Sequence, residues 1–504
     1  MSDDVLHPSR FAAEAPDRPA VIEGETGAVL TYAQLEERSC RVAHLLRSVG
    51  CEPGDHVAVL LENRLEFFEV VWGALRSGLY VTPINWHLSP DEAAYIVEDC
   101  GASVLFASAA LGDMVGGVPH GFAIGGSLPG FRDYEEALAG QPSTPPAQQC
   151  EGTWMLYSSG TTGKPKGIMP PRIGEPLGTG GTSGFVLLVQ GLYGASGDSV
   201  YLSPAPLYHA APAGWTTAMH RLGATTVIMD RFDPVEVLRL VERHRVTHAQ
   251  FVPTHLVRML RVPEAERSRH DLSSLQVAVH AAAPCPPEVK RAAIEWLGPI
   301  VYEYYSGSEG AGFCAIGSEE WLAHPGSVGR SLLGAVHIVD AGGEEVPTGQ
   351  EGQVWFESGA RFEYHGDPEK TAAAFDARGW ATLGDIGRVD EDGYLYLTDR
   401  VSNMIISGGV NVYPREVEDV LILHSAVEDV AAVGVPHPDL GEAVRAVVQP
   451  AGEPSDALAR ELIEFCRARI AHFKCPRSVV FVEALPRLPT GKLAKRMLPA
   501  DVLA

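Results

Sequence analysis

The sequence predicts an α/β protein carrying a smaller α+β unit, and three observations lead there. At 504 residues the chain is too long for a single hydrophobic core, so at least two domains follow. From Pro19 to about Ser108 short apolar runs alternate with amphipathic stretches, the pattern of helices layered on a largely parallel sheet. From Val401 onward about a hundred residues, a sensible single-domain size, open on a strand, a glycine turn and a helix.

Taken in order, the elements are signalled locally. Val57–Leu61 is uniformly apolar and reads as a buried strand. Thr31 with Gln34, and Ser89 with Glu92, have capping-box spacing, and Pro90 suits a first helical position, so helices are expected to start there. Residues 109–150, rich in Gly, Ala and Pro, read as irregular connection, with Pro145-Pro146 as a boundary. His244 and His248 fall four apart on an expected helix, but Arg245 stands where a zinc-protease pattern needs glutamate, so a structural role is expected. Val277-Ala278-Val279 is strand-like and leads into the small-residue turn Ala281-Ala282-Ala283-Pro284. Asp392-Gly393 between Val389 and Tyr394–Leu397 is a hairpin signal. Beyond the turn at Gly408-Gly409, Pro414 opens a helix with Val417, Val420 and Leu421 on one face.

A formal net charge of −25 argues against a nucleic-acid partner or an anionic membrane surface, since either rewards a basic face. Seven of the 39 basic residues are lysine (164, 166, 290, 370, 474, 492 and 495), so each lysine in a motif stands out against an arginine background. Eight scattered cysteines without Cys-x-x-Cys spacing suggest reduced thiols rather than a zinc site or a disulfide framework. The acidic start Met1-Ser2-Asp3-Asp4 lacks an apolar leader and no apolar run reaches membrane-spanning length, so a cytoplasmic protein without integral membrane association is expected.

The stretch Tyr157-Ser158-Ser159-Gly160-Thr161-Thr162-Gly163-Lys164-Pro165-Lys166-Gly167 reads as a phosphate cradle. Gly160, Gly163 and Gly167 are expected to take positive φ and turn backbone N–H groups toward an anion. The hydroxyls of Ser158, Ser159, Thr161 and Thr162 add donors, and Lys164 and Lys166 add charge. It is not a P-loop, because Gly163-Lys164 is followed by Pro165 rather than Ser or Thr. Nor is the later run from Gly178 to Gly184 a dinucleotide fingerprint, since Ser183 stands where the third spaced glycine belongs; it reads as flexible.

Position for position, Ser158–Gly167 resembles the signature of the adenylate-forming superfamily, which includes acyl-CoA synthetases, nonribosomal adenylation domains and luciferases. The resemblance runs on through Tyr305–Glu309, Gly384-Asp385, Asp399-Arg400, Gly408-Gly409 and Pro489–Lys492. It implies a large N-terminal domain of mixed sheets layered with helices (1–399), a hinge at Asp399-Arg400, and a small mobile C-terminal α+β domain (400–504). It also implies that ATP, Mg²⁺ and CoA are used. Adenine would lie against Ala282, Ala283 and Pro284 and the segment Tyr304-Tyr305-Ser306-Gly307-Ser308, with Tyr305 stacking and Ser308 meeting the α-phosphate. Glu309 would serve Mg²⁺, Asp385 and Arg400 the ribose, and Gly408-Gly409 the thiol tunnel. Lys492, Thr161, Glu309 and His209 would be the catalytic residues, His209 lying in Pro206–Pro212, which resembles the segment beside the acid pocket.

Amino-acid-activating members usually pair the substrate ammonium with an aspartate in this neighbourhood, and none occurs between Pro204 and Pro212. Burying an unpaired ammonium would be costly. The resemblance therefore implies an AMP-forming acyl-CoA synthetase acting on a hydrophobic acid, whether fatty, aromatic or polycyclic. An enzyme loading carrier-protein phosphopantetheine and a luciferase-like oxygenase share the same nucleotide motifs. The small molecules are the expected partners, with a homodimer as the assembly to test.

Overall fold

The computed structural model describes residues 6–114, 117–158, 165–170, 175–178, 184–357, 361–400, 404–407, 410–438, 440–487 and 493–503. The chain forms two compact units: Met1–Phe251 with Val257–Val279 and Arg361–Ala372, and Val252–Leu256 with His280–Ala360 and Ala373–Ala504.

The first unit contains a six-stranded sheet in the order Arg132–Asp133, His120–Ile124, Val104–Ser108, His56–Leu60, Tyr80–Pro83, Thr153–Trp154, and every pairing in it is parallel. Parallel strands covered on both faces read as unbroken apolar runs, and Val104–Ser108 and Tyr80–Pro83 are buried at every position. Both expected capping boxes form: Thr31 and Ser89 open helices Tyr32–Ser48 and Pro90–Asp99, each exchanging hydrogen bonds with the glutamine or glutamate three residues on. Residues 109–150 correct the expectation of irregular connection, because His120–Ile124 and Arg132–Asp133 extend the sheet and Tyr134–Ala139 is helical. Glycine there serves packing: a Cβ at Gly121 would lie 2.5 Å from the Phe131 ring.

A second sheet of this unit runs His248–Phe251, Val200–Ser203, Thr225–Ile228, Pro19–Glu23, Val29–Thr31, antiparallel only at its last pair. His244 closes helix Pro234–His244, Arg245 turns the chain out at φ 52°, and His248 opens a strand, so the two histidines do not share a helix as expected. A small antiparallel sheet, Leu156–Ser158 with Lys166–Met169 and Glu363–Tyr364, brackets the phosphate motif.

In the second unit, Val301–Ser306, Phe313–Ile316 and Arg330–Leu333 pair antiparallel. A four-stranded antiparallel sheet follows, in the order Ala335–Val339, Gly352–Glu357, Ala381–Val389, Leu395–Arg400, with Gly393 at φ +83° in the turn that Asp392-Gly393 signalled. The chain from Ile405 onward is α+β. Five strands carry the helices Pro414–Leu421 and Asp456–Arg467 around a core of Val412, Val417, Leu421, Val444, Leu462 and Cys466. All eight cysteines are unpaired. Among the described residues no helix is long and apolar enough to cross a membrane.

Candidate active site

Strand Val301–Ser306 carries two adjacent tyrosines, and the pleat sends them to opposite faces. Tyr304 is buried and stacks on Phe313 at 5.3 Å between ring centres. Tyr305 is half-buried, and its hydroxyl donates to Asp385 Oδ2 at 2.5 Å. Asp385 is only 6% exposed, on strand Ala381–Val389. The preceding Gly384 takes φ +79°, a conformation cheap only for glycine, and its N–H donates to Thr382 Oγ1 at 3.0 Å. Antiparallel register sets Asp385 opposite Arg400, so the two residues assigned to ribose are backbone partners.

The turn expected to meet adenine is strained. Ala282 is exposed at φ +74°, one of two non-glycine residues at positive φ among those described, and Ala281 beside it is buried. Strain of this kind persists where surrounding structure imposes it, and it gathers at binding sites. Further along, Ser306 Oγ donates to Gly312 O at 2.7 Å. A Cβ at Gly307 would sit 2.6 Å from Leu383 and 2.7 Å from Glu309 Oε2, so bulk there would collide with the residue assigned to magnesium. Ser308 is exposed and Glu309 half-buried. Among the described residues no cluster of three or more potential ligands exists. Mg²⁺ draws most of its ligands from phosphates and water and asks a protein for as little as one carboxylate.

Behind the tyrosine strand lies a buried ionic cluster. Lys290 Nζ is 2.6 Å from Glu303 Oε2, and His280 Nε2 is 3.6 Å from the same oxygen. Burial pushes the Glu303 carboxyl up, but the Lys290 ammonium and His280 outweigh it and hold it below the usual range. Burial pushes His280 down to about 4.

In the first unit, the stems of the phosphate motif are paired Lys166 with Ser158 and Gly167 with Tyr157. Ser159, Gly160, Thr161, Thr162, Gly163 and Lys164 lie outside the described residues, as do Gly408, Gly409 and Lys492. Gly167 corrects the positive-φ expectation. It is a strand residue, and its need is space, since a Cβ would lie 2.3 Å from Met155 and 3.3 Å from His365. Lys166 is ion-paired to Asp367 at 3.1 Å. His209 caps helix Ala210–Leu222, and burial, then the nearby His87, pushes its imidazole down to about 3. It is therefore neutral at pH 7. His209 Nε2, the Tyr208 hydroxyl and Trp86 Nε1 are buried polar atoms without a protein partner. Trp86 meets Tyr208 edge-on at 6.4 Å. Buried polar atoms of this kind are met by ordered water or by a bound polar group.

A model of the AMP-binding enzyme family matches residues 9–362, and one of the AMP-binding enzyme C-terminal domain matches residues 416–492. The chain belongs to the AMP-binding enzyme family. It is 32% identical over 498 residues to the long-chain-fatty-acid–CoA ligase FadD13 of Mycobacterium tuberculosis, covering 97% of this chain and 96% of that one. It is 33% identical over 494 residues to a feruloyl-CoA synthase of Amycolatopsis sp., with the same coverages of 97% and 96%. The crystal structure of the anthranilate CoA ligase AuaEII with anthranoyl-AMP superposes with a TM-score of 0.83 at 26% identity, over 98% of this chain and 96% of that one. This AMP-binding enzyme is an AMP-forming acyl-CoA synthetase, an acid–thiol ligase.

For the AMP-binding enzyme, local motifs announced Tyr305, Glu309, Asp385 and His209 but not their supports. Trp86, Lys290 and Glu303 carry no motif. Lys290 alone had a signal, as a rare lysine that nothing in the motifs accounted for.

Proposed function

We propose that this enzyme activates a hydrophobic carboxylic acid, fatty, aromatic or polycyclic, and transfers it to CoA. The observation that carries this reading is the nucleoside half-site, where buried Asp385 is held by Tyr305 and set opposite Arg400. The relatives named above act on long-chain and feruloyl acids, and a further one, 32% identical, is a ligase for a bicyclic propanoate in Rhodococcus jostii. The absence of aspartate from Pro204–Pro212 and the uncharged orphan groups of Trp86, Tyr208 and His209 fit an acid without an ammonium.

A carboxylate is a poor electrophile. Attack of its oxygen on the ATP α-phosphate releases pyrophosphate and leaves a mixed anhydride, and the CoA thiol then displaces AMP. Positioning and charge neutralisation carry such chemistry. Tyr305 and the turn Ala282-Ala283-Pro284 would hold adenine, Asp385 and Arg400 ribose, and Ser158–Lys166 the β- and γ-phosphates. Lys492 would bridge carboxylate and α-phosphate. Glu309 would hold Mg²⁺, which when bound offsets phosphate charge. With the hinge at Asp399-Arg400 separating domains 1–399 and 400–504, rotation would withdraw Lys492 and present Gly408-Gly409 to the thiol. A cytoplasmic setting fits eight unpaired thiols.

Pyrophosphate release screened across these acids, with and without CoA, tests the reading. Lys492→Ala is expected to abolish acyl-adenylate formation yet still convert supplied acyl-adenylate and CoA to thioester; near wild-type pyrophosphate release would refute its role. Turnover with a carrier protein but not with free CoA would place the enzyme beside a fatty acid–acyl-carrier-protein ligase of Streptomyces coeruleorubidus, to which it is also 32% identical.

A further inference from the structure

We propose that Asp99, remote in sequence from every nucleotide motif, is a positioning residue that anchors both stems of the phosphate loop. This rests on the reading of Ser158–Gly167 as the loop that holds the ATP phosphates. Asp99 is the last residue of helix Pro90–Asp99, where a carboxylate faces the negative end of the helix dipole. Helix stability does not account for it there.

One of its oxygens holds the outgoing stem directly, and the other holds a tyrosine that reaches the returning stem. Oδ2 accepts the Tyr157 hydroxyl at 2.7 Å, and Tyr157 immediately precedes Ser158. Oδ1 accepts the hydroxyl of Tyr95, one turn earlier on the same helix, at 3.0 Å. That hydroxyl also lies 3.3 Å from the carbonyl of Pro165, immediately before Lys166. One hydroxyl proton is thus shared between the carboxylate and the returning stem. Burial, reinforced by Asp99, pushes both tyrosine hydroxyls up, which keeps them protonated donors at any working pH.

The two stems pair Lys166 with Ser158 and Gly167 with Tyr157, and Lys166 is also ion-paired to Asp367 at 3.1 Å. Hydrogen bonds to an ionised carboxylate are about twice as strong as neutral ones. Fixing the stems before ATP arrives lowers the ordering cost that phosphate binding must meet.

Tyr157→Phe and Asp99→Asn in the full chain test this, through acid-dependent ATP–pyrophosphate exchange. Each is expected to raise the KM for ATP about tenfold, the scale of one hydrogen bond to a charged group, while the KM for the acid stays put. Thioester formation from supplied acyl-adenylate and CoA, which needs no β- or γ-phosphate, is expected to be unaffected. The double variant should be no worse than the poorer single one, because both act on the same bond, which Tyr157→Phe deletes and Asp99→Asn strips of its charge. An unchanged ATP KM in an active variant, or an acid KM rising in step, overturns the positioning role and leaves the ATP reading intact. A wild type that exchanges no pyrophosphate with any acid takes down that reading and this proposal together. Should Asp99→Asn not fold, Tyr95→Phe carries the same test, since it releases Pro165 while leaving the carboxylate and Tyr157 in place.

Discussion

Tyr305 is joined by its hydroxyl to Asp385, the carboxylate expected to take the sugar, while its ring is the one expected to stack on the base. Asp385 is buried, so the bond replaces water it has lost, and removing the donor leaves a charged acceptor under-satisfied. Tyr305→Phe is therefore expected to weaken AMP binding by about 1.5–3 kcal/mol while keeping the aromatic face, which calorimetry with AMP and with 2′-deoxy-AMP would measure. A ribose role for the fixed carboxylate requires that the variant discriminate less between the two nucleotides. Equal discrimination by wild type and variant would leave Tyr305 a stacking residue alone. Residue-level chemistry of this kind was half legible in the sequence. The identities of Tyr305 and Asp385 stood in motifs. The bond between them depends on bringing Val301–Ser306 beside Ala381–Val389, which no local pattern specifies.

At the scale of elements, legibility followed the range of the interaction. Capping boxes at Thr31 and Ser89 and the turn at Asp392-Gly393 were readable because every participant lies within four residues. Strand His120–Ile124 was not, because its glycine and histidine mimic a loop and its packing against Phe131 is not encoded in periodicity. The histidines at 244 and 248 misled for a related reason. Helical spacing is meaningful only if the helix continues, and Arg245 ends it. Helix Pro287–Leu297 is tied to the tyrosine strand by Lys290 and Glu303, both buried. Removing one member of such a pair strands the other charge, at a cost of about 3–5 kcal/mol. Lys290→Met is accordingly expected to lower the stability of the second unit by that amount, and Lys290→Met with Glu303→Gln to recover much of it. Chemical unfolding of the full chain reads both. A double variant as unstable as the single one would show that shape rather than charge holds helix to strand.

Across the whole molecule, acid should find the two units unequally prepared. In the first unit His220 is fully buried, accepts from Trp72 Nε1 at 3.2 Å through Nδ1, and donates from Nε2 to the Ala20 carbonyl at 3.1 Å. Both ring nitrogens are spent on the neutral form, and burial pushes the group down to about 4. The unfolded chain, with an ordinary histidine near 6.5, binds the extra proton first. Stability from His220 is thus complete above about pH 6.5 and is lost as pH falls toward 4, at about 1.4 kcal/mol per pH unit. The second unit holds His280, also pushed down to about 4, with the same sign. It also holds Asp419, which burial pushes up to about 6 despite Arg415. A raised carboxyl has the opposite sign, gaining stability as pH falls from about 6 toward its unfolded value. Between pH 6 and 4 those two offset each other in the second unit, while in the first unit the buried His7 and His209 add to His220 and outnumber Glu25 and Glu69, the carboxyls that burial pushes up there. Urea unfolding followed through Trp72 and its neighbours at pH 7, 6 and 5 should show the first unit weakening first, and His220→Gln should flatten that dependence by about one proton. A slope unchanged in His220→Gln would mean that other buried histidines of this unit, such as His7 and His209, carry the acid sensitivity instead.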